Sequence, residues 1–318
     1  MKLVVLDGFS ENPGDLSWEG LAAFGELTVY DRTPEALVAE RLRGADIAFT
    51  NKTLLPREII EGCDSLRYIG VLATGVNVVD TVAARERGIP VCNAPGYSTM
   101  SVAQLAVGFL LEIATHIGEH SRALHEGAWT KNPEFCAGLY PLFELADKTL
   151  GILGFGAIGQ RVSRIAGALG MRVIAHSRRA LPGTVQDGAE LVTLDRLFAE
   201  SDFLTLHCPL NDESTGIINA ARIAAMRDGA AIINTARGGC VISEDIARAL
   251  TDGKLSWYAA DVFNHEPILA DEPLLGQPHA ILTPHFAWAT REARERLMEI
   301  TVSNLRAYLD ETPRNVVN

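Results

Sequence analysis

Three short apolar runs in this chain each end in a residue able to do chemistry, where a β-strand would stop and its last side chains would be free to meet a ligand. AIINTARGG offers Arg237, YAADVFNHEP offers Asp261 and then Glu266, and AILTPHFAWAT offers His285. A guanidinium grips a carboxylate through paired hydrogen bonds, and an imidazole exchanges protons near neutral pH. A carboxylate beside the imidazole favours its charged form. Such a set suits proton transfer to a carbonyl oxygen next to a carboxylate, as in hydride reduction of a 2-keto acid or its reversal. Singly, each has a plainer reading: a structural histidine, a surface ion pair for Arg237, a turn cap before Pro267 for Glu266. His207 and His279 have only the plainer reading.

A fourth segment, residues 150–161 (LGILGFGAIGQR), is an apolar run followed by Gly154, Gly156 and Gly159 and then a helical stretch. In this context G-x-G-x-x-G holds a dinucleotide. Gly154 permits the tight turn, Gly156 admits the pyrophosphate, and Gly159 lets the helix pack on the strand. The amides of Gly154, Phe155, Gly156, Ala157, Ile158 and Gly159 face the phosphates. The next run, MRVIAHSRR, ends in Ser177, Arg178 and Arg179, with no acid to bond the ribose hydroxyls. A hydroxyl and two guanidinium groups suit a 2′-phosphate, so NADP(H) is expected over NAD(H), which stays possible because paired arginines also occur in solvated turns.

These segments need a frame. Short apolar runs alternate with longer mixed segments in two series, the pattern of parallel strands joined by helices, so the fold class is α/β. The first series lies at residues 3–6, 27–30, 47–49, 68–72 and near 91; the second at 149–153, 172–175, 203–206, 230–234, 257–261 and 281–283. Six strands in the second series suit a doubly wound dinucleotide-binding domain. Residues 101–124 read as one long, largely apolar helix, and 291–309 as an amphipathic one. Two Rossmann-like or flavodoxin-like domains are therefore expected. A discontinuous substrate domain takes 1–98 and 289–318, a nucleotide domain takes 99–288, and a cleft lies between them.

With 318 residues, 47% of them hydrophobic, there is core enough for two domains. The formal charge of −12 disfavours nucleic acid and anionic membranes as partners. No run approaches a membrane span. Five scattered cysteines without C-x-x-C fit a reducing cytoplasm, and no metal is expected, since His265 and Glu266 are adjacent and H-E-x-x-H is absent. In the first series, LATGVNVVD places Ala73, Thr74 and Gly75 after a strand, where free amides suit a carboxylate. Lys52 follows the preceding strand and offers a second charge.

The glycine loop, N-T-A-R-G-G, D-V-F-x-x-E-P and T-P-H-x-A-W-A-T, in this order from about residue 99 to 290, resemble the signatures of the D-2-hydroxyacid dehydrogenases. GVLATGVNVVD resembles that family's substrate loop, and the nearest likeness is to its glycerate dehydrogenase and glyoxylate or hydroxypyruvate reductase branch. The resemblance implies that Arg237 binds substrate carboxylate and carbonyl, that His285 is the acid/base, and that Glu266 hydrogen-bonds it. Cys208, Pro209, Thr235 and Ala236 would line the nicotinamide ribose, with Arg237 and His285 close by, and Asp261 would hold the carboxamide. Trp288 would shape the pocket for small substrates or a subunit contact. Cys208 has no adjacent base and reads as a packing residue, not a nucleophile. A homodimer is implied, its contact on the helix starting near Ser101. A dinucleotide-sensing interaction protein and a formate or phosphite dehydrogenase are the rival readings of the same frame.

Overall fold

The computed structural model describes residues 1–178 and 181–318, so Arg179 lies outside the described residues. The chain forms two compact units, Met1–Ser98 with Trp288–Asn318, and Thr99–Ala287.

The first unit holds five parallel strands, β1 (Lys2–Val5), β2 (Glu26–Val29), β3 (Ile47–Thr50), β4 (Tyr68–Val71) and β5 (Val91–Cys92), in the order β2-β1-β3-β4-β5. β3 and β4 are buried along their whole length, as apolar runs covered on both faces must be. The strand period separates the faces. Val4, Leu6, Ala48 and Ile69 pack on one side, Leu3, Val5, Phe49 and Tyr68 on the other, the latter against Ala293, Leu297 and Leu305 of the helix Arg291–Leu309. Strand order reverses between β1 and β3. Their C-terminal ends, at Asp7 and Asn51–Thr53, therefore diverge and leave a ligand-sized gap in this unit.

The second unit continues with β6 (Thr149–Leu153), β7 (Arg172–His176), β8 (Val185–Gln186), β9 (Ala189–Leu191), β10 (Phe203–Leu206), β11 (Ala230–Asn234), β12 (Leu255–Ala260) and β13 (Ala280–Leu282). The order is β13-β12-β11-β10-β6-β7-β9-β8, reversing between β6 and β10. The sequence pattern predicts six strands here, and the structure has eight. The two extra are a hairpin of two- and three-residue strands, too short for periodicity to register. It turns on Asp187 (φ 48°) and Gly188 (φ 81°), and β9 pairs parallel with β7.

The single helix expected over 101–124 is also corrected. It is two helices, Thr99–Thr115 and Ile117–His125, bent by 58° at His116, which adopts a left-handed conformation (φ 49°). His116 is buried, its Nδ1 2.9 Å from Glu119 and its ring between Tyr140 and Trp257, while the Glu112 carboxylate accepts the Gly118 amide. The first helix packs on Ala157–Ala168 and buries Ala106, Phe109, Leu110 and Ile113 within its own unit. The exposed apolar side chains lie further on, among them Ile117, Trp129, Phe135 and Leu142. Among the described residues no single helix is long and apolar enough to cross a membrane.

The helix Arg291–Leu309 starts at a Thr290 cap and is pinned by buried Arg294. That side chain bonds both Asp15 oxygens (2.6 and 2.7 Å) and the carbonyls of Glu11 and Ala289. Arg294→Met should lower stability by about 2–3 kcal/mol, because two carbonyls lose their donor while partly exposed Asp15 is rehydrated. A urea midpoint within error of the parent would refute this.

Candidate active site

In the second unit the diverging ends of β6 and β10 carry the glycine loop and the His207–Pro209 segment. At Gly154 φ is 99°, and a Cβ there would stand 2.4 Å from the Cys208 amide nitrogen. A Cβ on Gly159 would stand 2.4 Å from the Gly154 carbonyl, which is why the helix Ala157–Ala168 can sit so close behind the strand. Gly156, by contrast, faces open space, with nothing within 4 Å of its notional Cβ. The loop thus presents amides and a helix start to a phosphate-sized gap, which fits a dinucleotide. Phe155 is buried in the core, so only its backbone is available to a ligand. Ser177 follows β7 half-buried. Exposed Arg178 beside it pairs with Glu213 at 2.7 Å, and Arg179 cannot be described.

After β11, Thr235 and Ala236 are buried and Arg237 is exposed. Asn234 braces this turn from both sides: its Oδ1 accepts the Ala236 amide (3.0 Å) and its Nδ2 donates to the Arg237 carbonyl (2.9 Å). The guanidinium donates to the Ala236 carbonyl at 2.7 Å. At Gly238 the backbone of Phe263 leaves no room for a side chain, the notional Cβ lying 2.0 Å from its carbonyl carbon. This contact sets the Arg237 turn beside the loop that bears Glu266.

The Glu266 carboxylate is used at both oxygens. Oε1 accepts the Phe263 amide at 3.0 Å, and Oε2 meets His285 Nδ1 at 2.6 Å. An ionised carboxylate only accepts, so Nδ1 carries a proton and Nε2 is the nitrogen left to exchange one. His285 itself has φ 52°. Its loop is held by fully buried Asp261, whose carboxylate accepts the Thr283 hydroxyl (2.6 Å) and the amides of Phe286 (3.0 Å) and Ala287 (2.8 Å). Burial pushes the Asp261 carboxyl up, and those three donors pull it back down. Asp261, expected to face a carboxamide, is thus also the brace of the histidine loop.

In the first unit, the Asp7 carboxylate accepts three successive amides, those of Asn51 (2.8 Å), Lys52 (2.6 Å) and Thr53 (2.7 Å). Asn51 Nδ2 reaches the Leu72 carbonyl at 2.6 Å, joining that loop to the 72–80 segment. Lys52 is exposed. Ala73 is pinned through its carbonyl to the Ala94 amide (2.9 Å), and the Thr74 hydroxyl donates to the Ala94 carbonyl (2.9 Å). Among the described residues the Thr74 and Gly75 amides donate to no protein oxygen. Trp288 packs edge-on against Tyr97, 6.3 Å between ring centroids, within this unit's core. Asp7 and Asn234 were not singled out from sequence. The signal each carried was an acid or amide closing a strand.

The site has the build of a dehydrogenase that draws its hydride from a dinucleotide. Residues 107–287 match the D-isomer specific 2-hydroxyacid dehydrogenase, NAD binding domain family, and the chain belongs to that family. It is 49% identical to a hydroxypyruvate reductase of Blautia hydrogenotrophica, over 100% of both chains. It is 39% identical to a glycerate dehydrogenase of Methylorubrum extorquens, over 90% of this chain and 89% of the other. Among solved structures, the TT0316 protein of Thermus thermophilus superimposes with a TM-score of 0.89 at 33% identity, each chain covered in full. The chain is therefore an oxidoreductase of small 2-keto and D-2-hydroxy acids with a nicotinamide cofactor.

His207 is structural, its ring nitrogens turned to the hydroxyls of Thr205 (3.0 Å) and Thr235 (3.5 Å). Burial lowers it from the ordinary 6.5 to about 3. Between those values the unfolded chain binds more protons, so stability present above pH 6.5 is lost as pH falls. His207→Gln should therefore gain on the parent at acid pH, by at most about 1.4 kcal/mol per unit since the residue is not wholly enclosed. Parallel pH profiles of the two urea midpoints would refute this.

Proposed function

We propose that this chain reduces a small 2-keto acid of the glyoxylate or hydroxypyruvate type to its D-2-hydroxy acid, with His285 as the acid/base. The observation that carries the reading is the Glu266–His285 pair, which commits Nδ1 and frees Nε2. His285 Nε2 gives its proton to the carbonyl oxygen as charge develops there, and takes it back in the reverse direction. Glu266 orients the ring and stabilises its charged form. Arg237 holds the substrate carboxylate and offsets the developing alkoxide. In the other unit, the free amides of Thr74 and Gly75, the neighbouring Ala73 backbone and the Lys52 ammonium offer an anion-binding set of the kind a carboxylate needs. Trp288 limits bulk near them. Names of relatives point the same way: hydroxypyruvate reductase, glycerate dehydrogenase, glyoxylate reductase.

The residues that would hold the cofactor are the 154–159 loop, Ser177, Arg178 and Arg179, Cys208, Pro209, Thr235, Ala236 and Asp261. When bound, the dinucleotide supplies the hydride. We assign a preference for NADP(H), since Ser177 stands where an acid would repel a 2′-phosphate. The protein is further read as a cytoplasmic homodimer. Five free cysteines support the reducing compartment, and the exposed apolar side chains of residues 117–143 support the dimer, moving the contact from the helix start expected near Ser101.

The test follows NADPH and NADH absorbance against glyoxylate and hydroxypyruvate. His285→Ala should lose about 10²–10⁴ in kcat while still binding dinucleotide. Glu266→Gln should lower kcat more than it raises KM, and Arg237→Ala should impair both. Undiminished turnover in His285→Ala would end the acid/base assignment. Ser177→Asp should move the ratio of catalytic efficiencies toward NADH by about tenfold, the equivalent of about 1.4 kcal/mol. A parent that already favours NADH would overturn the cofactor preference.

A further inference from the structure

Neither Cys208 nor Cys240 has a task in the proton transfer above, yet the fold brings them together. Cys208 follows β10, and Cys240 closes the short turn Gly238–Cys240 after the neighbouring strand β11. Two backbone bonds zip these segments: Gly216 N to Gly239 O at 2.8 Å and Ile218 N to Cys240 O at 3.0 Å. Leu210 lies against Gly239, whose notional Cβ would be 3.0 Å from its Cδ2. Both cysteines pack in the same apolar cluster, and their thiols hydrogen-bond one another. Cys240 is fully buried, whereas Cys208 keeps partial exposure.

We propose that Cys208 and Cys240 form a dithiol modification site that a hydroperoxide converts to a disulfide, and that this bond weakens the adjoining dinucleotide loop. The proton in the thiol pair passes to Cys240, and the more exposed Cys208 sulfur attacks the near oxygen of the peroxide. The O–O bond breaks, and the departing hydroxide takes the Cys240 proton as water. The Cys240 thiolate then attacks the Cys208 sulfur. The S–O bond breaks, a second hydroxide leaves, and the two electrons lost by the sulfurs have gone to the peroxide oxygens. The Cys208 hydrogen bond, together with the Ser214 hydroxyl and the Arg237 charge, lowers Cys240 against the effect of burial, while the hydrogen bond to Cys240 and burial push Cys208 up. That polarity suits Cys240 as the resolving thiolate.

The coupling follows from packing. The peptide of Cys208 is the surface against which Gly154 turns, and the Cys240 amide bonds the Arg237 carbonyl at 3.2 Å. Drawing Cys208 onto Cys240 shifts the backing of the phosphate turn. This effect rests on reading residues 154–159 as the cofactor loop; the disulfide does not.

The experiment uses the full chain with Cys136→Ser, which removes an exposed competing thiol. It is treated with hydrogen peroxide, alkylated, digested and mapped, and NADPH binding is titrated by fluorescence before and after. The expected map shows the Cys208 and Cys240 peptides joined, two hydrogens lighter, and separated by dithiothreitol. The oxidised chain should bind NADPH about threefold or more weakly and recover on reduction, a loss above 0.6 kcal/mol in rough terms. In a further Cys240→Ser variant, peroxide should leave Cys208 as an unlinked oxy-acid. Unlinked sulfurs in the parent map would overturn the site, and a linked chain that binds NADPH undiminished would overturn the coupling. If the reduced chain binds no dinucleotide, the cofactor reading fails while the map still decides the disulfide.

Discussion

Burying a carboxylate costs several kcal/mol unless hydrogen bonds replace its water, and Asp261 meets that demand with one hydroxyl and two amides drawn from the loop that carries His285. The exchange works in both directions. The carboxylate is satisfied only if residues 283–287 curl around it, and the curl places His285 at φ 52°, a conformation that a non-glycine residue rarely holds unaided. From that position the imidazole reaches Glu266, whose second oxygen is already tied to Phe263. Charge-assisted bonds of this kind are shorter and stronger than neutral ones. A histidine otherwise free in a surface loop thus acquires one orientation and one available nitrogen.

The same device stands in the other unit. Asp7 follows β1 as Asp261 follows β12, and its carboxylate gathers the amides of Asn51, Lys52 and Thr53. In each case an acid at a strand end shapes the loop after another strand of its own sheet. Parallel sheets make this possible because all their strands end on one side, so loops from non-consecutive strands become neighbours. Where strand order reverses, the loops part and leave room. The glycine loop beside Cys208 and the Asp7 site beside Lys52 both lie at such reversals.

Much of this was legible in the sequence, for a physical reason. Strands buried on both faces are unbroken apolar runs, so β6, β10 and β11 can be bounded to the residue, and the polar residues after them fall at the ligand side. What escaped was short or conditional on tertiary partners. The β8–β9 hairpin is too brief for a period, although Asp187-Gly188 is a turn signal. The break at His116 depends on an imidazole pocket built from Tyr140 and Trp257, residues distant in sequence. Residue types named Glu266 and His285, but only the fold brings them to 2.6 Å across nineteen positions, and only the fold gives Asp261 its bracing role.

The net charge of −12 poses a question for a protein read as binding a phosphate-rich cofactor. Screening answers most of it, since at physiological ionic strength exposed charges beyond about 8 Å contribute little. Selection between dinucleotides is then local. Near Ser177 the described charges are Arg178 and its partner Glu213, both more than half exposed. An ion pair so exposed is worth about 0–1 kcal/mol, less than a guanidinium gains from a phosphate dianion in a bidentate contact. Glu213 therefore holds the arginine without competing effectively for it, and the absence of an acid at Ser177, rather than the strength of any one cation, is what opens the site to a 2′-phosphate.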